Sequence, residues 1–295
     1  MQTNQPAVKA QEKNILALYL GISKPGIILG NLITMFAGFA FASKDNFDLL
    51  LFFYASVGLI LVIGSACIFN NLIDREIDSK MTRTKSRALV SGEVSWQEAF
   101  FLGLGTGILG GLILGFLVNF LTFVVAAVGF FIYVGVYSHL KRKTSVATLI
   151  GSIAGATPPL VGFAAANGAL GMQALLLFLI VVFWQMPHFY AIGIYRLDDY
   201  LAASIPILPV KKGMRATKIQ MVFYAILFFA AALLPTFFHY AGYLYLSVAT
   251  LVSFYWLCLC IQGFWVTNDK LWAKKIFRFS LLVILAISIF ISMKI

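Results

Sequence analysis

Nine stretches of this chain are long and apolar enough to cross a bilayer as helices, which leaves few other folds open to it. They fall at 25–43, 49–69, 99–117, 120–138, 146–166, 172–194, 219–238, 243–263 and 276–292. A transmembrane helix takes roughly 20 mostly apolar residues. None of the stretches shows the ten-residue alternation of an outer-membrane strand, so they predict an all-α, polytopic membrane bundle rather than a barrel. Composition agrees. The chain is 61% apolar and only 11% charged, with a mean hydropathy of +0.93, whereas soluble domains carry about 25% charged residues.

Charge gives the bundle an orientation. With nine spans, 20 of the 22 Lys and Arg residues fall on one side, which holds the N-terminus and the loops near 70–98, 139–145, 195–218 and 264–278. Only Lys44 and Lys294 lie opposite. The positive-inside rule then puts the N-terminus in the cytoplasm and the C-terminus outside. This one-sidedness accounts for the net charge of +11, and nucleic acid is not expected as a partner. Residues 1–24 are polar, lack Arg and show no cleavable apolar leader, so they read as a cytoplasmic N-terminal segment of a single membrane domain over 1–295. A bacterial inner membrane is the expected location, with anionic lipid headgroups against Lys141–Lys143, Lys211–Lys212 and Lys274–Lys275. Cys67, Cys258 and Cys260 lie in apolar segments without metal-ligand spacing and read as small packing residues.

Two loops on the cationic side, after spans two and six, run to about 25 residues, whereas the opposite connections hold only a few; long loops in compact proteins are commonly functional. The first loop opens with three carboxylates and five cations within 14 residues, in a chain with 11 acidic groups in all. Such charges beside hydrocarbon are expensive unless they have partners. Asn70, Asp74 and Asp78 are spaced i, i+4, i+8, so a helix that continues past the membrane surface projects all three from one face, about 6 Å apart along its axis. That face suits one or two oxygen-ligated Mg²⁺ ions shared with a substrate phosphate; Glu76 points elsewhere. The second loop opens with Tyr195-Arg196-Leu197-Asp198-Asp199-Tyr200, in which a continuous helix sets Tyr195 and Asp199 on one face and leaves Asp198 aside. The two motifs hint at an internal repeat.

A diphosphate cannot approach bare carboxylates, so metal must bridge them and cations must cover the outer oxygens. Arg83 and Arg87, again i, i+4, are the first candidates, because guanidinium binds phosphate bidentately. Lys24, at the mouth of the first span beside Pro25, and Arg75 join them. Within the spans, Gln185 and His188 flank Pro187, and Ala156-Thr157-Pro158-Pro159 predicts a broken fifth span.

Together these residues resemble the UbiA-type intramembrane prenyltransferases over essentially the whole chain. Within that superfamily, Asp74-Arg75-Glu76-Ile77-Asp78-Ser79-Lys80-Met81-x-Arg83-Thr84 with Arg87 resembles the protohaem IX farnesyltransferases. So do Ser23-Lys24-Pro25-Gly26, Thr157-Pro158-Pro159 and Trp184-Gln185-Met186-Pro187-His188. The resemblance implies transfer of farnesyl from farnesyl diphosphate to a vinyl group of haem B, with addition of water, giving haem O. It implies Mg²⁺ as cofactor, with Asn70, Asp74, Asp78 and Asp199 as ligands and Tyr195 at the site. His188 would position haem or manage the water. The sequence names no protein partner, whether for haem delivery or a haem A synthase. Other readings weighed are a relative acting on an aromatic acid, a metal or lipid transporter, and a CDP-alcohol phosphotransferase. The Trp-Gln-Met-Pro-His stretch, the surface position of the acidic groups and the missing D-G-x2-A-R element respectively speak against them.

Overall fold

The computed structural model describes residues 15–43 and 46–293. Every regular element among them is helical: α1 (Ile15–Ile22), α2 (Pro25–Ser43), α3 (Leu49–Asp78), α4 (Ala88–Ser91), α5 (Trp96–Leu112), α6 (Phe120–Phe131), α7 (Ser138–Leu140), α8 (Ala147–Gly155), α9 (Thr157–Asn167), α10 (Met172–Tyr195), α11 (Leu197–Ala202), α12 (Leu208–Phe237), α13 (Tyr243–Gln262) and α14 (Asp269–Ile291). Turns of π-helix prolong α5 to Val118 and α6 to Tyr137.

Eight helical segments among the described residues are long and apolar enough to cross a membrane, and they coincide with the first eight predicted spans. The ninth predicted span falls on α14. That helix is 23 residues long, but its opening turns carry Lys270, Lys274, Lys275 and Arg278, which keep it outside the set. The N-terminal segment also differs from expectation: Ile15–Ile22 is an apolar helix, not polar chain. Lys44 and Lys294 lie outside the described residues.

Local chemistry sets the helix ends. Asp48 caps α3 by accepting from Leu51 N at 2.9 Å, and Ser95 and Glu98 form a reciprocal capping box at the start of α5. Asn119 alone turns the chain between α5 and α6; its backbone is extended, and its side chain accepts from Thr122 N at 2.8 Å and donates to Ala164 O at 3.0 Å. The fifth span breaks at Ala156 as expected, because Pro158 and Pro159 offer no N–H to the preceding turn. In α12 the backbone leaves helical geometry at Gly213, whose φ of 78° favours glycine.

Side chains sort by environment. Trp256, Phe228, Tyr245, Met186 and Ile194 fill a core among α10, α12, α13 and α14, and Met35, Phe39, Leu59 and Leu114 fill a second among α2, α3 and α5. Large apolar residues such as Phe101, Phe116, Tyr243 and Leu251 face outward, as lipid requires. The seam between α2 and α9 is backbone against backbone: a Cβ on Gly162 would strike Met35 O, and one on Gly38 would strike Pro159 O. Close approach through small residues is how membrane helices pack when lipid supplies no hydrophobic drive between them. Gly162→Leu is therefore expected to cost about 3 kcal/mol of stability. Gly30→Ala, where nothing lies within 4 Å of the added carbon, should leave the thermal midpoint in detergent unchanged. Equal midpoints for the two variants would contradict the packing described.

At 30 residues, α3 is about 45 Å long, against a hydrocarbon core of about 30 Å. Its last turns thus stand clear of the apolar slab. There the cationic loops meet: Lys24 reaches Asn70, Lys141 reaches Asp74, Thr82 reaches Asp199 and Lys270 reaches Asp198. The loops predicted to share one side do share one end of the bundle.

Candidate active site

The last two turns of α3 carry the first acidic motif, and the helix runs unbroken through it. Asn70, Asp74 and Asp78 are 2%, 4% and 5% exposed, whereas the Glu76 side chain is 74% exposed. The i, i+4, i+8 spacing thus places three oxygen-bearing side chains on one buried face, as expected.

Each of the three has its own cation. Lys24 Nζ donates to Asn70 Oδ1 at 2.7 Å, Lys141 pairs with Asp74 Oδ2 and Arg87 pairs with Asp78 Oδ2. Arg87 also donates to Asn71 Oδ1 at 3.2 Å, and Asn71 Nδ2 ties the face to Ile22 O of α1 at 2.7 Å. Asn70 Nδ2 donates to Ser138 Oγ at 2.9 Å. Burial pushes the Lys24 ammonium down to about 8, against support from Cys67 and Asp74, and Arg87 and Lys141 add repulsion. Burial likewise lowers the Lys141 ammonium, although Asp74 opposes the shift. Lys24 holds its place with a φ of 57°, in the left-handed region, directly before Pro25. Strain of that kind persists only where surrounding contacts fix it.

The second acidic motif arrives from the other half of the chain. Here the structure corrects the sequence reading: Tyr195 ends α10, Asp199 belongs to α11, and the backbone breaks at Arg196, so the two do not share a continuous helical face. What brings Asp199 to the site is a loop contact. Its Oδ1 accepts from Thr82 N at 3.0 Å, while Met81 packs with Ile77, Ala203 and Ile205. Asp198 turns outward to Lys270, 2.6 Å away. Tyr200 lies close enough to sense Arg83, Tyr195, Asp199 and Arg196, and burial raises its phenol. Tyr137 lies between the halves, near both Tyr200 and Asp74.

Two enclosed polar atoms in this region have no hydrogen-bond partner: the acceptor Asp74 Oδ1 and the donor Arg196 Nε. Buried orphans are costly, and these two have the polarity to meet a cation and a phosphate. Among the described residues, no three His, Cys, Asp or Glu side chains gather into a metal cage. The donor set is two carboxylates and an amide on one face, with room for oxygens from elsewhere, which is the incomplete set Mg²⁺ accepts. A cavity of about 210 Å³ opens on Asp78, Arg87 and Asn71 from the side of α1.

Not every expected residue joins. Arg75 is exposed and lines a separate groove with Glu76, Ser79 and Arg142, about 100° around α3 from Asp74. Arg83 is exposed near Tyr200. His188 lies two turns deeper than Tyr195 on α10, stacked on Trp184 at 4.8 Å. Lys141, expected against lipid headgroups, instead reaches into the site over the ring of Tyr137. Tyr133 and Tyr137 stack at 5.4 Å. Their positions and that of Lys141 repeat every four residues, and that spacing was the available signal for them.

The sequence profile of the UbiA prenyltransferase family matches residues 31–282. The chain belongs to the UbiA prenyltransferase family. A protohaem IX farnesyltransferase of Protochlamydia amoebophila is 49% identical over 92% of this chain and 96% of its own length. One from Yersinia pseudotuberculosis is 47% identical, over 93% of each. Among solved folds, a digeranylgeranylglyceryl phosphate synthase superposes with a TM-score of 0.77 at 20% identity, covering 94% of this chain and 98% of that one. A UbiA homologue from Archaeoglobus fulgidus, bound to DMAPP and Mg²⁺, superposes with a TM-score of 0.72 at 15% identity, covering 90% and 98%. These two likenesses establish the UbiA fold.

The pairing of Lys141 with Asp74 can be tested without any substrate. Lys141→Met leaves a buried carboxylate unpaired and is expected to cost about 3 kcal/mol. Adding Asp74→Asn removes the stranded charge and should restore most of the thermal midpoint in detergent. A double variant no more stable than Lys141→Met would contradict the coupling.

Proposed function

We propose that this protein transfers the farnesyl group of farnesyl diphosphate to a vinyl carbon of haem B, with addition of water, giving haem O and diphosphate. The reading is supported above all by relatives that bear the name protohaem IX farnesyltransferase and are 49% and 47% identical over more than nine tenths of this chain. The A. fulgidus homologue bound to DMAPP and Mg²⁺ supports a metal-dependent prenyl diphosphate site.

In this reading Asp74 and Asp78, with Asn70 and with Asp199 from the facing loop, hold Mg²⁺; the unpartnered Asp74 Oδ1 is the feature of this chain that fits it best. When bound, the metal draws charge from the diphosphate and weakens the allylic C–O bond. Lys24, Lys141 and Arg87, already paired with Asn70, Asp74 and Asp78, are placed to turn from those oxygens to diphosphate oxygens, with Arg83 from the loop that carries Arg87 and the unpartnered Nε of Arg196 from the second loop. The C–O electron pair leaves on the diphosphate. The vinyl carbon attacks the allylic carbon, and water then adds to the new cation, its proton passing to the departing diphosphate. Tyr133, Tyr137 and Tyr195 line the approach, and aromatic faces stabilise positive charge while excluding water. The cationic end of the bundle, which carries the site, faces the cytoplasm of a bacterial cell whose inner membrane holds the protein.

The test is mass spectrometry of the haem products formed by purified protein with haem B, farnesyl diphosphate and Mg²⁺. A haem O mass is expected. Asp74→Ala should lower kcat/KM by about 1,000-fold and Arg87→Ala by about 100-fold, whereas Arg75→Ala, which removes an exposed group from a separate groove, should stay within about threefold. No product from folded wild-type protein would overturn the reading, and a large loss from Arg75→Ala would overturn the geometry assigned to the acidic face.

A further inference from the structure

The groove that takes Arg75 away from the acidic face has a chemistry of its own. It encloses about 460 Å³ against the outer side of α3, with Val90 of α4 at one wall and Arg142 at the other. Leu72, Glu76 and Ser79 share the face of α3 that forms its floor. Arg75 lies about 60° to one side of Leu72 and Ile73 about 100° to the other. Arg142 is fixed on the Ile73 side, because its Nη2 donates to Ile73 O. Two guanidinium groups therefore flank a floor that carries one hydroxyl. Glu76 stands at the rim, its side chain 74% exposed and 3.9 Å from both Lys80 and Arg142. Counting Arg75, Lys80 and Arg142 against Glu76, the groove carries a net positive charge and suits an anion with oxygens on more than one side.

What lies beneath the groove says what bears the anion. One turn deeper on α3, Phe69 falls in angle between Leu72 and Ile73. Its ring meets Phe100 of α5 at 5.8 Å and Phe130 of α6 at 6.0 Å. Trp96, 48% exposed at the start of α5, stacks on Phe100 at 5.0 Å, and Phe101 faces outward beside it. An apolar aromatic strip thus continues the groove toward the hydrocarbon, with a tryptophan at the level where such rings meet headgroups. Depth agrees. Counted along α3 from Leu49, Phe69 lies at about 30 Å and Arg75 at about 39 Å. The ring ends the hydrocarbon stretch, and the arginine side chain leans back toward the headgroup layer, since helical side chains tilt toward the N-terminus. A free phosphate would use only the upper part of this surface, whereas an amphiphile uses all of it.

We propose that the groove between Arg75 and Arg142 seats the headgroup of an anionic phospholipid, with an acyl chain laid along Phe69 and Phe100. The phosphodiester oxygens accept from the two guanidinium groups, and Ser79 Oγ meets the headgroup beyond them. The lipid sits one residue from the acidic face on both partners: Lys141 pairs with Asp74, and Arg142 bonds to Ile73 O. Its headgroup thus touches the segment that delivers Lys141 to Asp74.

The experiment is native mass spectrometry of the full-length protein in detergent with phosphatidylglycerol or phosphatidylcholine added, in the absence of haem and farnesyl diphosphate. Wild-type protein should retain one phosphatidylglycerol about tenfold more strongly than phosphatidylcholine. Arg75→Gln should lower phosphatidylglycerol retention about tenfold, the loss of a charge-assisted contact. Lys212→Gln, which removes an exposed cation on α12, should stay within about twofold. Glycerol phosphate, which has the anion without the chains, should leave the lipid in place. As a second readout, phosphatidylglycerol should raise the thermal midpoint of wild-type protein but not of Arg75→Gln. Equal retention of the two lipids, or equal losses from Arg75→Gln and Lys212→Gln, would overturn the site as mere surface attraction. Displacement by glycerol phosphate would overturn the lipid and leave a free-anion groove.

Discussion

Carboxylates at the edge of a hydrocarbon slab have to be neutralised before anything can be built on them. Placing two of them at successive turns of α3 would expel that helix end from a compact bundle unless cations arrived from elsewhere in the chain. Lys24 comes from the turn before α2, Arg87 from the loop after α3 and Lys141 from the end of the fourth span. Much of the architecture of this end follows from that requirement. The loops are long on one side because they must return to the α3 terminus, and short on the other because nothing there needs to be met.

The two long loops also meet each other. Met81 from the first and Ile205 from the second belong to one small apolar cluster, and the Asp199 carboxylate is fastened to a backbone N–H of the first loop. The halves of the site are therefore tied, among the described residues, by a non-polar contact and by the bond from Thr82 N to Asp199 at the start of α11, over a framework of long helices. Function carried by loops on such a framework is a common division of labour.

Much of this was legible in the sequence. The span at 25–43 matches α2 to the residue, because Pro25 opens the helix and the apolar run ends at Ser43. The acidic face was legible because a helix period of 3.6 maps a spacing of four onto one side, and the break at Ala156 because proline forbids the bond that would bridge it. What was hidden depended on other elements. The return of Lys141 to Asp74 is a contact across 67 residues, and although Lys141 continues the four-residue spacing of Tyr133 and Tyr137, no local pattern names Asp74 as its partner. Tyr195 and Asp199 obey the same spacing rule that succeeded on α3, yet the helix breaks between them at Arg196. The rule presumes continuity that the second loop does not have. Arg75 failed for the opposite reason: it lies on a continuous helix beside the ligand face, but one residue along from Asp74 is about 100° around the axis.

The contact of α2 with α9 partitions mechanical compliance across the bundle. Backbone touching backbone at Gly38 and Gly162 leaves no side chain to rotate or yield, so these two helices bend and translate as one beam. The opposite seam is built otherwise. There α10 contains Pro187, and α12 contains Pro235 and the non-helical joint at Gly213, each removing a hydrogen bond or a helical turn that would stiffen it. Strain from a bulky guest is therefore absorbed by α10 and α12, while the beam of α2 and α9 holds its shape. The acidic terminus of α3 keeps its distance from that beam while the far wall gives way.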